Sequence, residues 1–371
     1  MPEVVIIAGE SSGDLHAAGV ADQLRRIRPD IELTGFGGPL MEKAGVKLFD
    51  RYETGVMGFV EVLSHIPRHY FLLQSLRERF ARNDVELVIV VDYPGFNMKA
   101  AAAAKAANIP VLYYVTPQVW AWGENRLPKL AKIVTKAAVI LPFEESLLRG
   151  HGIDATFVGH PLLDRATDLP SKKAARETLG ISDAAQVLAL FPGSRQQEID
   201  RHIDDFVESA RNTQKAIPGL EVIVSVAPTI QLDPECCPFR LVHSASFTVL
   251  RAADAALCKS GTTTLEAAIA DTPLVVAYRT SEISYFLARL MVTIPHIGLV
   301  NVVAGREVAL EFVQNDLSPS KVSIELERLL DTSDPERGRV LEGLAEVRGK
   351  LGTPGAALRV AEMASSLVTR V

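Results

Sequence analysis

The chain has 371 residues, 48% of them hydrophobic and 23% charged, with a formal net charge of −6. That length suffices for two domains with separate cores, and the negative charge argues against a general nucleic-acid binder, which needs a basic surface to neutralise phosphates. Cys236 and Cys237 are adjacent and Cys258 lies in an apolar run, so the cysteines offer neither a disulfide framework nor zinc-ligand spacing, and free thiols fit a reducing compartment.

In chain order, short β-branched runs alternate with helical patterns. The first run, Val4 to Ala8, is strand-length and follows no basic leader or cleavage site. No stretch reaches the roughly 20 apolar residues of a membrane span, so a cytoplasmic protein is expected. Leu87 to Val91, Val111 to Val115 and Ala138 to Leu141 follow in the first half, then Val187 to Leu190, Glu221 to Ala227, Ala255 to Cys258 and Leu274 to Ala277 in the second. Such alternation predicts parallel sheets covered on both faces by helices, an α/β fold of two Rossmann-like, doubly wound domains. The polar segment Asp164 to Lys173, with Pro170, reads as the linker. It separates a domain at 1–165 from one at 174–345, and leaves a segment, 346–371, whose helical Ala356 to Val368 packs back on the first domain or on a partner chain.

In open parallel sheets, ligands collect at the carboxyl ends of strands, and polar motifs sit at these ends. Gly9-Glu10-Ser11-Ser12-Gly13-Asp14 follows the first strand, Asp92-Tyr93-Pro94-Gly95-Phe96-Asn97 follows Leu87 to Val91, and Thr116-Pro117-Gln118-Val119-Trp120-Ala121-Trp122 follows Val111 to Val115. Glu10, Ser12 and Asp14 read either as a polar wall for a sugar or its phosphate, or as a turn that caps the first helix. In the second half, Phe191-Pro192-Gly193-Ser194-Arg195 runs from a strand into a turn ending in a guanidinium able to grip two phosphate oxygens.

Lys259-Ser260-Gly261-Thr262-Thr263-Thr264-Leu265-Glu266 reads as strand, tight turn and helix start. That order aims backbone N–H groups and about half a positive charge at an anion. A diphosphate fits there: Gly261 allows close approach, Thr262, Thr263 and Thr264 add donors, and Glu266 lies where it can accept bonds from the vicinal hydroxyls of a ribose. An ordinary capped βα turn is the alternative for this stretch alone, and the second phosphate-seeking turn favours the anion site. Neither a Walker loop nor a strand-linked Gly-x-Gly-x-x-Gly occurs, so NTP hydrolysis and nicotinamide chemistry lose ground. Facing domains would close a cleft with an anion site on one wall and a carboxylate on the other.

These residues resemble the lipid-A-disaccharide synthase family. The likeness runs through Gly9 to Asp14, Val56-Met57-Gly58-Phe59-Val60-Glu61-Val62-Leu63, Asp92 to Asn97, Pro117 to Trp122, Leu141-Pro142-Phe143-Glu144, Gly159-His160-Pro161, Pro192 to Arg195, Ser260 to Glu266, and Asn301 with Ala304-Gly305-Arg306-Glu307. The resemblance implies a GT-B glycosyltransferase that moves a 2,3-diacylglucosamine unit from UDP to the 6-hydroxyl of 2,3-diacylglucosamine 1-phosphate. UDP leaves and a β-1,6 disaccharide forms. It implies Asp92 as the base for that hydroxyl or the group that orients it, a helix cap being the alternative role.

By the same resemblance Arg195, Ser194 and the Ser260 to Thr264 turn neutralise the departing UDP, with no metal and no cofactor, and Asn301 lies near the nucleotide. Gly9, Glu10, Ser12, Gly13, Asp14, Asn97 and Gln118 are expected toward the acceptor. Gly95 stands where some members carry a second aspartate, which leaves Asp92 as the only acid of its loop. His160 reads as a structural histidine or a cleft residue and is assigned no role.

Two diacylated sugars must be drawn from a membrane. Arg126, Lys129, Lys132 and Lys136 recur at helical spacing just after Trp120 and Trp122, and the largely apolar Ile66 to Leu73 contains Arg68 and precedes Arg77, Arg79 and Arg82. Basic residues beside aromatics suit anionic headgroups; a solvated helix face with buried tryptophans is the alternative. The expectation is peripheral association with the cytoplasmic face of the inner membrane, without nucleic acid, and a homodimer is compatible with the chain. The rivals are a UDP-sugar epimerase or other GT-B nucleotide-sugar enzyme, and a two-domain solute-binding protein, which normally carries an export signal.

Overall fold

The computed structural model describes residues 1–49, 66–123, 126–228, 230, 232–233, 237–243, 245–282, 285 and 294–368, without the side chains of 66–68 and 122. The motif at 56–63, Cys236, and the side chains of Arg68 and Trp122 therefore lie outside the described residues. The chain divides into two compact units, Met1–Asp164 with Gly352–Val371, and Arg165–Leu351.

Each unit is built on one parallel sheet. The first comprises β1 (Glu3–Ala8), β2 (Glu32–Phe36), β3 (Lys47–Leu48), β4 (Val85–Val91), β5 (Val111–Tyr114), β6 (Lys136–Val139) and β7 (Ala155–Phe157), in the order β3-β2-β1-β4-β5-β6-β7. The second comprises β8 (Val187–Phe191), β9 (Glu221–Val226), β10 (Arg240–His243), β11 (Ala255–Lys259), β12 (Leu274–Tyr278) and β13 (Glu311–Val313), in the order β10-β9-β8-β11-β12-β13.

Helices cover both faces, so a central strand such as β1 is buried at every residue and reads as a continuous apolar run rather than an alternation. All eight expected strands are present. The strands not expected from the sequence are the outer β3, β7, β10 and β13, each of four residues or fewer, and β2, whose apolar run is broken by Gly35. That glycine is required, because a Cβ there would sit 1.9 Å from the Ile6 carbonyl oxygen of the adjacent strand.

Chain order reverses between β1 and β4 in the first sheet and between β8 and β11 in the second. Loops leaving such a pair of strands diverge to opposite faces and open a crevice at the carboxyl edge, where ligands of doubly wound sheets bind. Register fixes which loops these are. Ala8 pairs with Val91 and Phe191 with Cys258, so the Gly9 turn lies beside Asp92 in one unit, and the Pro192 turn beside Lys259 in the other.

In the first unit, one face of the sheet packs Val5, Ile7, Val88 and Val90 against Leu72, Leu76 and Phe80 of helix Ile66–Phe80 and Ala100 and Ala104 of helix Pro94–Ala106. The other face packs Val4, Ile6, Leu87 and Ile89 against helices Ser11–Ile27 and Ala356–Leu367. Of the two positions expected for the C-terminal helix, it takes the one on its own first unit, burying Ala356, Val360, Ala361 and Ala364 completely. Asp164 accepts the N–H groups of Gly355, Ala356 and Ala357 at its start, and Arg359 Nε donates to the Val158 carbonyl at 2.9 Å. The preceding helix, Pro335–Lys350, runs past residue 345 within the second unit, so the return to the first unit falls at Leu351 and Gly352. Among the described residues, no helix is long and apolar enough to cross a membrane.

Candidate functional site

The loops after β4 and β5 are strained. Asp92, Tyr93 and Val115 have φ of 50°, 47° and 56°, a region costly for side chains with a Cβ and most costly for a β-branched valine. Surrounding bonds hold the strain in place. The Asp92 N–H donates to the Tyr114 carbonyl at 3.0 Å, and the Asp92 carbonyl accepts from Asn97 Nδ2 at 2.7 Å and the Tyr113 hydroxyl at 3.0 Å. Helix Pro94–Ala106 takes Tyr93, the residue after Asp92, as its N-cap, with no cap bond from the Tyr93 side chain. The half-buried Asp92 side chain stands at the switch point on a backbone fixed in a costly conformation.

The adjoining turn is fitted to this loop. A Cβ on Gly9 would lie 2.1 Å from Tyr93 Cδ1, and the Tyr93 hydroxyl bonds His69 Nε2 at 3.0 Å. Burial first, and the Glu10 carboxylate second, push the Tyr93 phenol up from its ordinary value, which keeps it a neutral donor or acceptor. Glu10 is half-buried, and Ser12 and Gln118 are exposed.

Asp14 and Asn97 are corrections. Asp14 is 3% exposed, and its carboxylate accepts from the N–H groups of Gly38, Leu40 and Met41 at 2.9, 3.1 and 3.0 Å, capping helix Pro39–Lys43 beside the buried Gly13. Asn97 is wholly buried and spends its amide on the Val91 and Asp92 carbonyls. The Asp14 carboxylate and the Asn97 amide nitrogen brace the loops, while Asn97 Oδ1 is buried with no hydrogen-bond partner. His160 is also buried, accepting the Leu162 N–H at Nδ1 over 3.2 Å; burial and then the neighbouring His16 bring it down to about 3, which keeps the ring neutral.

The aromatic-basic patch is corrected in two places. Trp120 is buried, donates from Nε1 to Glu144 Oε1 at 3.0 Å, and meets Phe143 edge-on at 5.3 Å, so it is no headgroup anchor. Lys136 opens β6 rather than continuing helix Leu127–Ile133, which leaves Arg126, Lys129 and Lys132 as the exposed basic face.

Glu144 was not expected from the sequence as more than part of a family motif. Its other oxygen accepts the Leu141 N–H at 2.9 Å and the Ile140 N–H at 3.3 Å. Burial pushes it up to about 7 against the pull of these bonds. A carboxyl raised above its unfolded value contributes stability below pH 4.5 that is lost as pH rises through 7. Urea unfolding is therefore expected to show wild type losing on the order of 2–3 kcal/mol across that window, and Glu144→Gln should show no such slope.

In the second unit, Ser194 and Arg195 are exposed in the turn after β8, at the start of the 21-residue helix Gln196–Ala216. Gly193 has φ 150°, and a Cβ on it would strike Glu198 Cβ at 2.5 Å. Glu198 Oε2 accepts the Ser194 N–H at 2.9 Å and Oε1 accepts from Lys259 Nζ at 2.8 Å. Burial would raise this carboxyl, but Lys259 and the Ser194 N–H outweigh it and hold it below its ordinary value. Neither Glu198 nor Lys259 was expected in the site; the available signal was an acid in the first turn of the helix after a phosphate-type turn.

Across the switch point, the hydroxyls of the Ser260 turn divide into two kinds. Ser260 Oγ donates to the Ile297 carbonyl at 2.7 Å, and the buried Thr264 Oγ1 donates to the Gly261 carbonyl at 2.8 Å while accepting the Val300 N–H at 3.3 Å. These two brace the turn. Thr262 is exposed and Thr263 half-buried, and among the described residues the N–H groups of Gly261, Thr262 and Thr263 make no hydrogen bond. Helix Thr263–Ile269 is only seven residues long, so the turn offers local N–H groups rather than a long helix dipole.

Glu266 is 7% exposed, with Ser246 Oγ at 3.4 Å and Arg165 at 3.5 Å from Oε1; burial raises it, opposed by Arg165 and Ser246. Asn301 is a further correction. It is wholly buried, donates to the Ala309 carbonyl and Glu311 at 2.7 and 2.8 Å, and accepts the Val308 and Ala309 N–H groups at 2.8 and 2.9 Å. That leaves it no bond to offer a nucleotide, and it secures the segment leading to β13.

The chain is similar to known proteins at two levels of likeness. The S. aureus MnaA-UDP co-structure superposes with a TM-score of 0.66 over 100% of this chain and 98% of that one, at 12% identity. The UDP-GlcNAc 2-epimerase from Neisseria meningitidis bound to UDP-GlcNAc does so with a TM-score of 0.63 over 98% of this chain and 100% of that one, at 14% identity. At such identities the likeness is of fold alone, the GT-B type arrangement of two Rossmann-like domains. The lipid-A-disaccharide synthase of Myxococcus xanthus is 41% identical over 375 residues, 99% of this chain and 98% of that protein. That of Syntrophus aciditrophicus is 39% identical over 99% of this chain and 98% of its own. The family model for lipid-A-disaccharide synthetase matches residues 4–343, and with these relatives it shows that the chain belongs to that family, a glycosyltransferase of lipid A disaccharide synthesis.

Proposed function

We propose that this enzyme joins UDP-2,3-diacylglucosamine to the 6-hydroxyl of 2,3-diacylglucosamine 1-phosphate. The observation that carries the reading is the placement of complementary chemistry at the two switch points: an acid, Asp92, at one, and Arg195 with the N–H groups of the Ser260 turn at the other. In the proposed step the acceptor oxygen attacks the anomeric carbon in line, its proton passes to Asp92, and the bond to UDP breaks. UDP gains one negative charge, which Arg195 and the turn neutralise in place of a metal. Incubating purified enzyme with the donor, with and without acceptor, tests this. A β-1,6 disaccharide and equimolar UDP should form only when both sugars are present; a changed sugar epimer would instead support the epimerase alternative.

Glu266 is assigned to the ribose, a contact equally present before and during reaction. Glu266→Ala is therefore expected to raise the donor's KM about tenfold with kcat little changed, and steady-state kinetics with an unaltered KM would remove it from that role.

Membrane recruitment is assigned to the first unit. Tyr70 and Phe71 on helix Ile66–Phe80 are 64% and 62% exposed, beside a groove of about 690 Å³ lined by Leu73, Met98 and Ala102 with Arg77, Lys99 and Lys129. Apolar surface with basic neighbours suits anionic headgroups at about 1 kcal/mol per charge. Vesicle sedimentation should show binding that requires anionic lipid and weakens with salt.

A further inference from the structure

We propose that Lys259 is a second cation for the departing diphosphate, its pull tempered by Glu198; this rests on the nucleotide-site reading above. Lys259 is the last residue of β11 and its side chain is 18% exposed. Its ammonium is 2.8 Å from Glu198 Oε1 and 5.6 Å from the centre of the Tyr278 ring. The other Glu198 oxygen holds the Ser194 N–H at 2.9 Å. One carboxylate therefore ties the Arg195 turn to the strand end that launches the Ser260 turn.

Gly261 supplies the second observation. A Cβ built on it would meet only the Lys259 ammonium within 4 Å, at 3.8 Å. The space over the glycine is open and is faced by a positive charge. Glu198 takes one of the three ammonium donors, so a phosphate oxygen approaching Gly261 meets the remainder along with the N–H groups of the turn. Arg195 flanks the same switch point from β8. Two cations answer the leaving group better than one, since UDP carries one more negative charge once the bond is broken. Glu198 partners the ammonium, and its negative charge, repelled by the diphosphate, tempers the affinity so that product is released. Lys259 thus touches the leaving group, whereas Glu198 acts by lowering the net positive charge beside it.

A purely structural ion pair and this arrangement predict different signs. Calorimetric titration of UDP is expected to show Lys259→Gln binding about 10- to 100-fold more weakly than wild type, with Lys259→Arg restoring affinity to within a few fold. Glu198→Gln, which keeps an acceptor for Ser194 and removes a like charge, is expected to bind UDP more tightly than wild type. Thermal melts establish that each variant is folded, and if Lys259→Gln does not fold, the sign of the Glu198→Gln change decides alone. UDP affinity unchanged in Lys259→Gln, or weakened in Glu198→Gln, overturns the proposal while leaving the nucleotide site standing. Wild type that fails to bind UDP overturns the nucleotide site and this proposal together.

Discussion

Asp92→Asn is expected to fold as wild type and to lose about 10²- to 10⁴-fold in kcat, the range for removing a positioned general base. The substitution is nearly isosteric, and main-chain bonds anchor this residue: its N–H to Tyr114 and its carbonyl to Asn97 and Tyr113. None of these needs the carboxylate. The left-handed backbone at Asp92 is also tolerated by asparagine better than by most residues. Loss of activity with an unchanged melting temperature would place the effect on chemistry rather than folding. Near wild-type turnover in the pure, folded variant would remove Asp92 from the reaction.

Arg195→Ala is expected to cost about 10² to 10³ in kcat, the usual effect of deleting one preorganised group that meets charge developing in the transition state. Arg195 is exposed and stands at the N-cap of helix Gln196–Ala216 without a side-chain cap bond, so the helix start should survive the change. Ground-state binding of UDP should weaken as well, because the free product carries the same charge that the guanidinium meets as the bond breaks. Arg195→Lys should recover only part of the loss, since an ammonium replaces a fork that grips two oxygens at once. Initial rates with saturating donor, set beside UDP titration, separate the two effects.

The central strands were legible because burial on both faces writes them as unbroken apolar runs, as in Val4 to Ala8 and Leu87 to Val91. The outer strands were not, being too short to show any period; Lys47–Leu48 has two residues. Strand-end placement of Asp92 and Arg195 followed from local order alone. What local order does not disclose is how a polar side chain spends its bonds. Asp14, Asn97 and Asn301 look like ligands in a polar motif, yet each satisfies backbone groups that would otherwise be buried without partners, Asn301 reaching the Ala309 carbonyl eight residues on. Trp120 likewise reads as an interfacial aromatic until Glu144, 24 residues later, accepts its indole N–H. Lys259 and Glu198, 61 residues apart, meet only because β8 and β11 are neighbours.

A division of labour between the two switch points is best tested by titrating UDP calorimetrically into wild type, Asp92→Asn and Arg195→Ala in parallel. If Arg195 and the Ser260 turn hold the nucleotide while Asp92 readies the acceptor, Arg195→Ala should bind UDP at least tenfold more weakly, whereas Asp92→Asn should match wild type despite its lost turnover. Asp92→Asn losing as much UDP affinity as Arg195→Ala would contradict that division.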